Sequence, residues 1–211
     1  MGQTLTNIRS DVRTVTGYNS SDPLLADTDL TPLVNHALGQ LSTEYDWPWL
    51  YAETGFVTVA GQTDYAVPTR WTRTLWLAIE DVDFDYRTHR QMRRIVGDTN
   101  VTRQPSVFTT VGDTSIRLGP IPDAVYSVDH GYMTHEDTLT DDSDFPALDT
   151  AYDDMLVWRV AKLAAIRKGD SDMVARAMNE IKEWDRRVRD NVRRSSQFPR
   201  IKARRDWTTR T

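Results

Sequence analysis

Cysteine is absent from all 211 residues of the chain. Its absence excludes disulfides, thiolate metal sites, iron–sulfur clusters and cysteine nucleophiles. No apolar run is long enough for a membrane-spanning helix. Histidine is scarce: His36, His89, His130 and His135 are the whole set, and no two stand in the His-x-x-x-His spacing of a helical metal site. The ten glycines form neither Gly-x-Gly-x-x-Gly nor a Walker pattern, and no Gly-x-Ser-x-Gly occurs. The opening residues, Met1-Gly2-Gln3-Thr4-Leu5-Thr6-Asn7, lack a basic head before an apolar stretch, so no secretory signal is expected. Gly2 with Thr6 fits the loose N-myristoylation pattern, with nothing further to support a lipid anchor.

What remains is an ordinary folding composition, 39% hydrophobic and 27% charged, in a length that suits one domain or one body with an insertion. The charge is unevenly placed. Residues 186–211 hold ten basic side chains against Asp190 and Asp206, a net +8, which leaves −13 for residues 1–185 out of the total of −5. An acidic body with a basic C-terminal arm implies a separate electrostatic task for each part.

Apolar spacing predicts a short helix through Leu5, Ile8, Val12 and Val15, ending before Gly17. Thr31-Pro32 reads as a helix start, and Leu33, Val34, Ala37, Leu38, Leu41 and Tyr45 continue it to Asp46-Trp47-Pro48-Trp49-Leu50. The period then changes to two. Phe56–Ala60 and Tyr65–Pro68, joined by Gly61-Gln62-Thr63-Asp64, read as a β-hairpin. Further strands are expected at Thr74–Ile79, Val82–Arg87, Ser106–Val111, Ser115–Leu118 and Val125–Tyr132, with Gly112-Asp113 as a hairpin turn. Residues 88–96 fit a short helix or a loop equally. Tyr152, Met155, Leu156, Val160 and Leu163 form a helical stripe closed by Gly169, and a cap at Asp170 or Ser171 opens a second stripe of Val174, Ala177, Ile181, Trp184 and Val188. A connection so short makes these two helices antiparallel neighbours.

The fold class expected is α+β. An antiparallel helical bundle forms from residues 1–54 and 149–194, and an antiparallel β region, residues 55–133, projects from it as an insertion. Residues 134–148 form an acidic loop, and residues 195–211 form an extended basic arm.

Three groups of residues carry possible chemistry. The acidic loop, with Glu136, Asp137, Asp141, Asp142 and Asp144, has the oxygen ligands of a magnesium or calcium site but not the alternate spacing and central glycine of a calcium loop. A solvated loop beside a helix N-terminus is the plainer reading. His130 and His135, near Asp129 and Glu136, are candidates for a general base pair, although His130 alternates with Val128 and Tyr132 as a packed residue would. No catalytic, cofactor-binding or metal-binding residue stands out. The arm differs from both: Phe198, Ile201 and Trp207 are bulky apolar residues among Arg200, Arg204 and Arg205, with no apolar period of their own. Such a segment orders on a partner. Its arginines and aromatics suit nucleic acid, through phosphate neutralisation and base stacking, and equally a protein surface with apolar pockets and acidic rims. Of the seven tryptophans, Trp47, Trp49 and Trp184 are expected in the core.

The order of these segments resembles the head-to-tail connector (adaptor) proteins of tailed bacteriophages, including the tail-tubular or gatekeeper type. The resemblance runs over residues 25–190. It rests on the helix Leu33–Leu38 leading into Asp46-Trp47-Pro48-Trp49, then Gly61-Gln62-Thr63-Asp64-Tyr65-Ala66-Val67-Pro68. It continues through Ile116–Tyr126, the acidic loop with Phe145-Pro146, and the helix from Tyr152. The resemblance implies a structural, non-enzymatic virion protein without cofactors, assembled in the host cytoplasm and placed in the neck between capsid and tail. It implies a ring of itself, usually twelve copies, below the portal protein ring, with the β part toward a tail or nozzle protein. Genomic DNA would pass through the channel without specific binding, and no membrane is involved. By position, the arm becomes the portal-binding element, with Phe198, Arg200, Ile201, Arg204, Arg205 and Trp207 as contacts. An acidic body repeated around a ring would give a wall that repels phosphate. With no large apolar patch evident in the sequence, the isolated subunit is expected to be monomeric.

Overall fold

A computed structural model describes residues 2–19, 21–22, 25–97 and 101–194. The fold is α+β, and the chain divides into a helical unit, Met1–Trp49 with Glu136–Thr211, and a β unit, Leu50–His135.

In the helical unit, α1 (Leu5–Thr16) starts on a Thr4 side-chain cap and ends at Gly17, whose positive φ of 71° closes the last turn. The second helix, α2, spans Asp27–Glu44 and begins four residues before the expected Thr31-Pro32 start. Asp27 and Asp29 favour the N-terminal dipole, and the extra turn seats Leu30 in the core. Pro32 therefore lies in the second turn of the helix, where it offers no N–H to the Thr28 carbonyl. Thr31 caps nothing; its hydroxyl donates back to the Asp27 carbonyl at 2.8 Å and accepts from Arg9.

The helices α4 (Asp153–Lys168) and α5 (Ser171–Arg194) follow the expected stripes. Helix α4 packs against α1, α2 and α5, so it buries more than one stripe: Val157, Ala161, Ala164 and Ala165 join Met155, Leu156 and Val160 inside. Trp47 is fully buried, stacks on Trp49 with ring centres 4.8 Å apart, meets Tyr152 at 5.1 Å and donates its indole N–H to the Leu41 carbonyl.

The β unit holds two four-stranded sheets. One runs β1 (Tyr51–Val57), β8 (Ser127–Thr134), β3 (Trp71–Ile79), β4 (Val82–Asp83); the other runs β2 (Asp64–Ala66), β7 (Ser115–Gly119), β6 (Val107–Val111), β5 (Asp85–Tyr86). Side chains from both sheets, among them Leu77, Ile79 and Val128 with Tyr65, Phe108, Ile116 and Leu118, make one core. The expected hairpin of Phe56–Ala60 with Tyr65–Pro68 does not form, because β1 pairs with β8 and β2 with β7. Tyr65 decides this. Its ring enters the shared core while its hydroxyl accepts from the Val59 N–H and donates to the Gln62 carbonyl, so the turn is pinned by a side chain instead of a ladder. The single strand expected at Val82–Arg87 is likewise two, broken at buried Phe84 where the chain passes from one sheet to the other. The hairpin at Gly112-Asp113 is present, joining β6 to β7. Residues 88–96, open to either reading, lie in a helix, α3 (His89–Gly97).

Gly131 is a glycine by necessity. A Cβ there would sit 2.2 Å from Trp76 Nε1, since the indole lies directly on the β8 backbone.

Candidate assembly interface

The arm, residues 195–211, lies outside the described residues, and with it Phe198, Arg200, Ile201, Arg204, Arg205 and Trp207. The structure describes α5, the helix that precedes it. Gly169 turns the chain out of α4 in the left-handed conformation. Asp170 then caps α5, with Oδ1 accepting from the Met173 N–H at 3.0 Å and Oδ2 from the Tyr18 hydroxyl at 2.9 Å. These donors hold the Asp170 carboxyl below its ordinary range, and burial followed by that same bond pushes the Tyr18 phenol up to about 12. Ala161 and Ala165 of α4 meet Met173 and Ala177 of α5, and such small side chains bring the two helices close.

Further along, α5 is tied down by a buried charge. Arg159 donates to Glu44 at 2.8 and 2.6 Å and to Asp185 at 3.2 Å, and the Tyr45 hydroxyl also donates to Asp185. Burial, then the bond to Asp185, raises the Tyr45 phenol to about 12. One α2 end, one α4 side chain and the middle of α5 are thus locked in one network. Val188 is fully buried. Outside it, Lys182, Arg186 and Arg189 line a shallow polar depression with Asp185 and Asp190, and the Arg187 guanidinium lies over the half-buried Trp184 ring. The outer side of α5 here carries both signs, and Arg186 is paired with Glu183.

The acidic loop is built into this unit. The carbonyls of Asp144 and Asp142 accept from the Leu5 and Thr6 N–H groups at the start of α1. Asp142 also pairs with the buried Arg9. Asp144 Oδ2 accepts from the N–H groups of Thr140 and Asp141, which hold that carboxyl below its ordinary range. Glu136 Oε2 accepts from Ala147 N–H, and Asp149 caps the turn before α4. Carboxylate oxygens of Glu136, Asp142, Asp144 and Asp149 serve these contacts. Among the described residues no group of three or more His, Asp or Glu is placed to hold a metal ion.

His130 is 1% exposed in the β8 strand, with Nε2 2.9 Å from the Thr74 hydroxyl and its ring 4.9 Å from that of Tyr132. Burial lowers its pKa to about 4, so it is neutral at neutral pH and packs as a core residue. His135 engages Arg70 through its main chain, its N–H donating to the Arg70 carbonyl and its carbonyl accepting from the guanidinium.

One apolar feature was not legible in the sequence. Thr58 is buried and bonded to Ala124 and Tyr126, which turns Val57, Val59 and Val125 outward, 60%, 52% and 70% exposed, at one end of the β1–β8 pair. Alternation marks Val57 and Val59 as one face of a strand; which face stays open depends on the partner strand.

A family model described as SU10 adaptor protein matches residues 3–207. No curated protein matches the chain.

Proposed function

The chain belongs to the SU10 adaptor protein family, and from that premise we propose that it is the head-to-tail connector of a tailed bacteriophage virion, a ring below the portal that joins capsid to tail and lines part of the DNA channel. The match over residues 3–207 carries this reading, because it takes in both units and most of the arm. The portal partner is held by the arm. Phe198, Ile201 and Trp207 fill apolar pockets, while Arg200, Arg204 and Arg205 meet acidic rims. A helix α5 held by the Arg159 network and the Asp170 cap suits this task, since it presents the segment that follows it from a defined point. The β unit faces the tail or nozzle protein, and the exposed Val57, Val59 and Val125 give it an apolar contact. The net negative charge of residues 1–185 opposes tight holding of the passing DNA.

The test is capture on purified portal rings. The full chain should co-sediment with them, and a chain ending at Arg194 should stay folded by circular dichroism yet stay in the supernatant. Co-sedimentation of the shortened chain would remove the arm from this role. Replacing Trp207 and Phe198 with Ala in the full chain should weaken capture by about 2 kcal/mol or more if both are anchors.

A further inference from the structure

We propose that the outer face of α3 is a phosphate-binding surface for duplex nucleic acid. The helix carries Arg90, Arg93 and Arg94 and no acidic residue. Met92 is 1% exposed and seats the helix against β6 and β7. At 3.6 residues per turn Arg90 and Arg94 fall opposite Met92 and Arg93 on the flank beside Arg90, and all three are exposed. Elsewhere in the β unit, Arg87 pairs with Asp85 and Arg117 with Asp64. Arg90, Arg93 and Arg94 form no ion pair among the described residues. The β unit therefore carries a concentrated positive face on a body that is negative in sum.

The chemistry of that face selects its ligand. Side chains at i, i+3 and i+4 lie within one turn of one another. A duplex offers about one negative charge per 1.7 Å of axis, so three guanidiniums on one turn each find a phosphate oxygen, and the planar fork of arginine engages it with two N–H groups. A protein partner would instead need an apolar anchor at the centre of the contact, and the exposed face of α3 has none. Such contacts read charge and not sequence. The inference stands apart from the connector reading: it asks only that a duplex reach this helix, and portal capture does not test it.

The experiment is retardation of a short random-sequence DNA duplex by the full chain over a range of salt. Each lost phosphate contact lowers the log–log salt slope by about 0.9. The variant R90Q/R93Q/R94Q should lower it by about 2.7, and R90K/R93K/R94K should hold the wild-type slope. A single R93Q, expected to remove about 0.9, decides the matter if the triple variant misfolds. For comparison, the arm's Arg200, Lys202, Arg204 and Arg205 are replaced with Gln in the full chain. An unchanged slope in the α3 variants, with the whole effect in the arm variant, overturns the proposal. So does binding to polyglutamate but not to the duplex, which would assign the face to an acidic protein.

Discussion

In the helical unit Arg9, Arg13, Arg159 and Arg167 each reach a carboxylate, and two of them, Arg9 and Arg159, do so while almost fully buried. In the β unit Arg90, Arg93 and Arg94 of α3 reach none among the described residues, and the core beneath is aromatic and aliphatic. The difference follows from what each unit packs. Helices joined through small side chains, such as Ala161 on Ala177, leave edges where charged side chains can bridge three elements at once. Two sheets facing each other leave room only for apolar rings, so arginine is pushed to the outside. The helical unit buries Arg9 and Arg159 as internal ties, whereas the β unit leaves the three arginines of α3 on its surface.

The sharpest way to break this contrast is through the β core itself. Gly131→Val drives side-chain atoms into the Trp76 ring, which is already within 2.2 Å of a Cβ position. It should cost about 3 kcal/mol or more in chemical denaturation, and Trp76→Leu in the same chain should recover part of it. Acid should act almost as strongly. His130 has a folded pKa of about 4 against an ordinary 6.5, so below pH 6.5 the unfolded chain takes up a proton that the folded chain refuses. Stability is then complete above pH 6.5 and falls as pH drops toward 4, by about 3 kcal/mol in all. His130→Gln should flatten that part of the pH profile, and an unchanged profile would show that the acid response arises elsewhere.

The helical unit should respond to loss of its buried cation. Arg159→Met leaves Glu44 and Asp185 without their shared partner. The expected loss is about 2 kcal/mol, below that of a fully buried pair because the Glu44 side chain is 44% exposed. Equal stability of this variant would mean that the network fixes geometry without adding to stability. Smallest of all should be R90Q/R93Q/R94Q on α3, within about 0.5 kcal/mol of wild type in denaturation. A large loss there would make the two units alike in their use of arginine.

Much of this architecture was legible because it is written in local periodicity. The α1 end at Gly17, the Gly169–Asp170 connection and the β6–β7 turn at Gly112 are each fixed by a backbone conformation that few residues adopt. The alternation of Val128, His130 and Tyr132 likewise marks one buried face, and the packed reading of His130 holds. The misreadings share a cause. Thr31-Pro32 satisfies the rules for a helix start, but the contacts that begin α2 at Asp27 come from Leu30 entering the core. Phe56–Ala60 and Tyr65–Pro68 have the pattern of a hairpin, but their pairing partners lie far along the chain, Phe56 with Val128 in β8 and Tyr65 with Ile116 in β7. The charge split of residues 186–211 is a matter of composition, whereas the Arg159–Glu44–Asp185–Tyr45 anchor was not legible, because no spacing rule links positions 44, 45, 159 and 185.

By itself the sequence determined the polarity of charge along the chain, the exclusion of thiol chemistry, the α+β class and the placing of most helices and strands. Each depends on residue type or on a period shorter than one element. Only the tertiary structure decided which strands pair, where α2 begins, which carboxylates neutralise which arginines, and that α3 leaves three of them facing outward. Those outcomes depend on contacts between residues far apart in the chain, and a burial or an ion pair of that kind has no signature until both partners are in place.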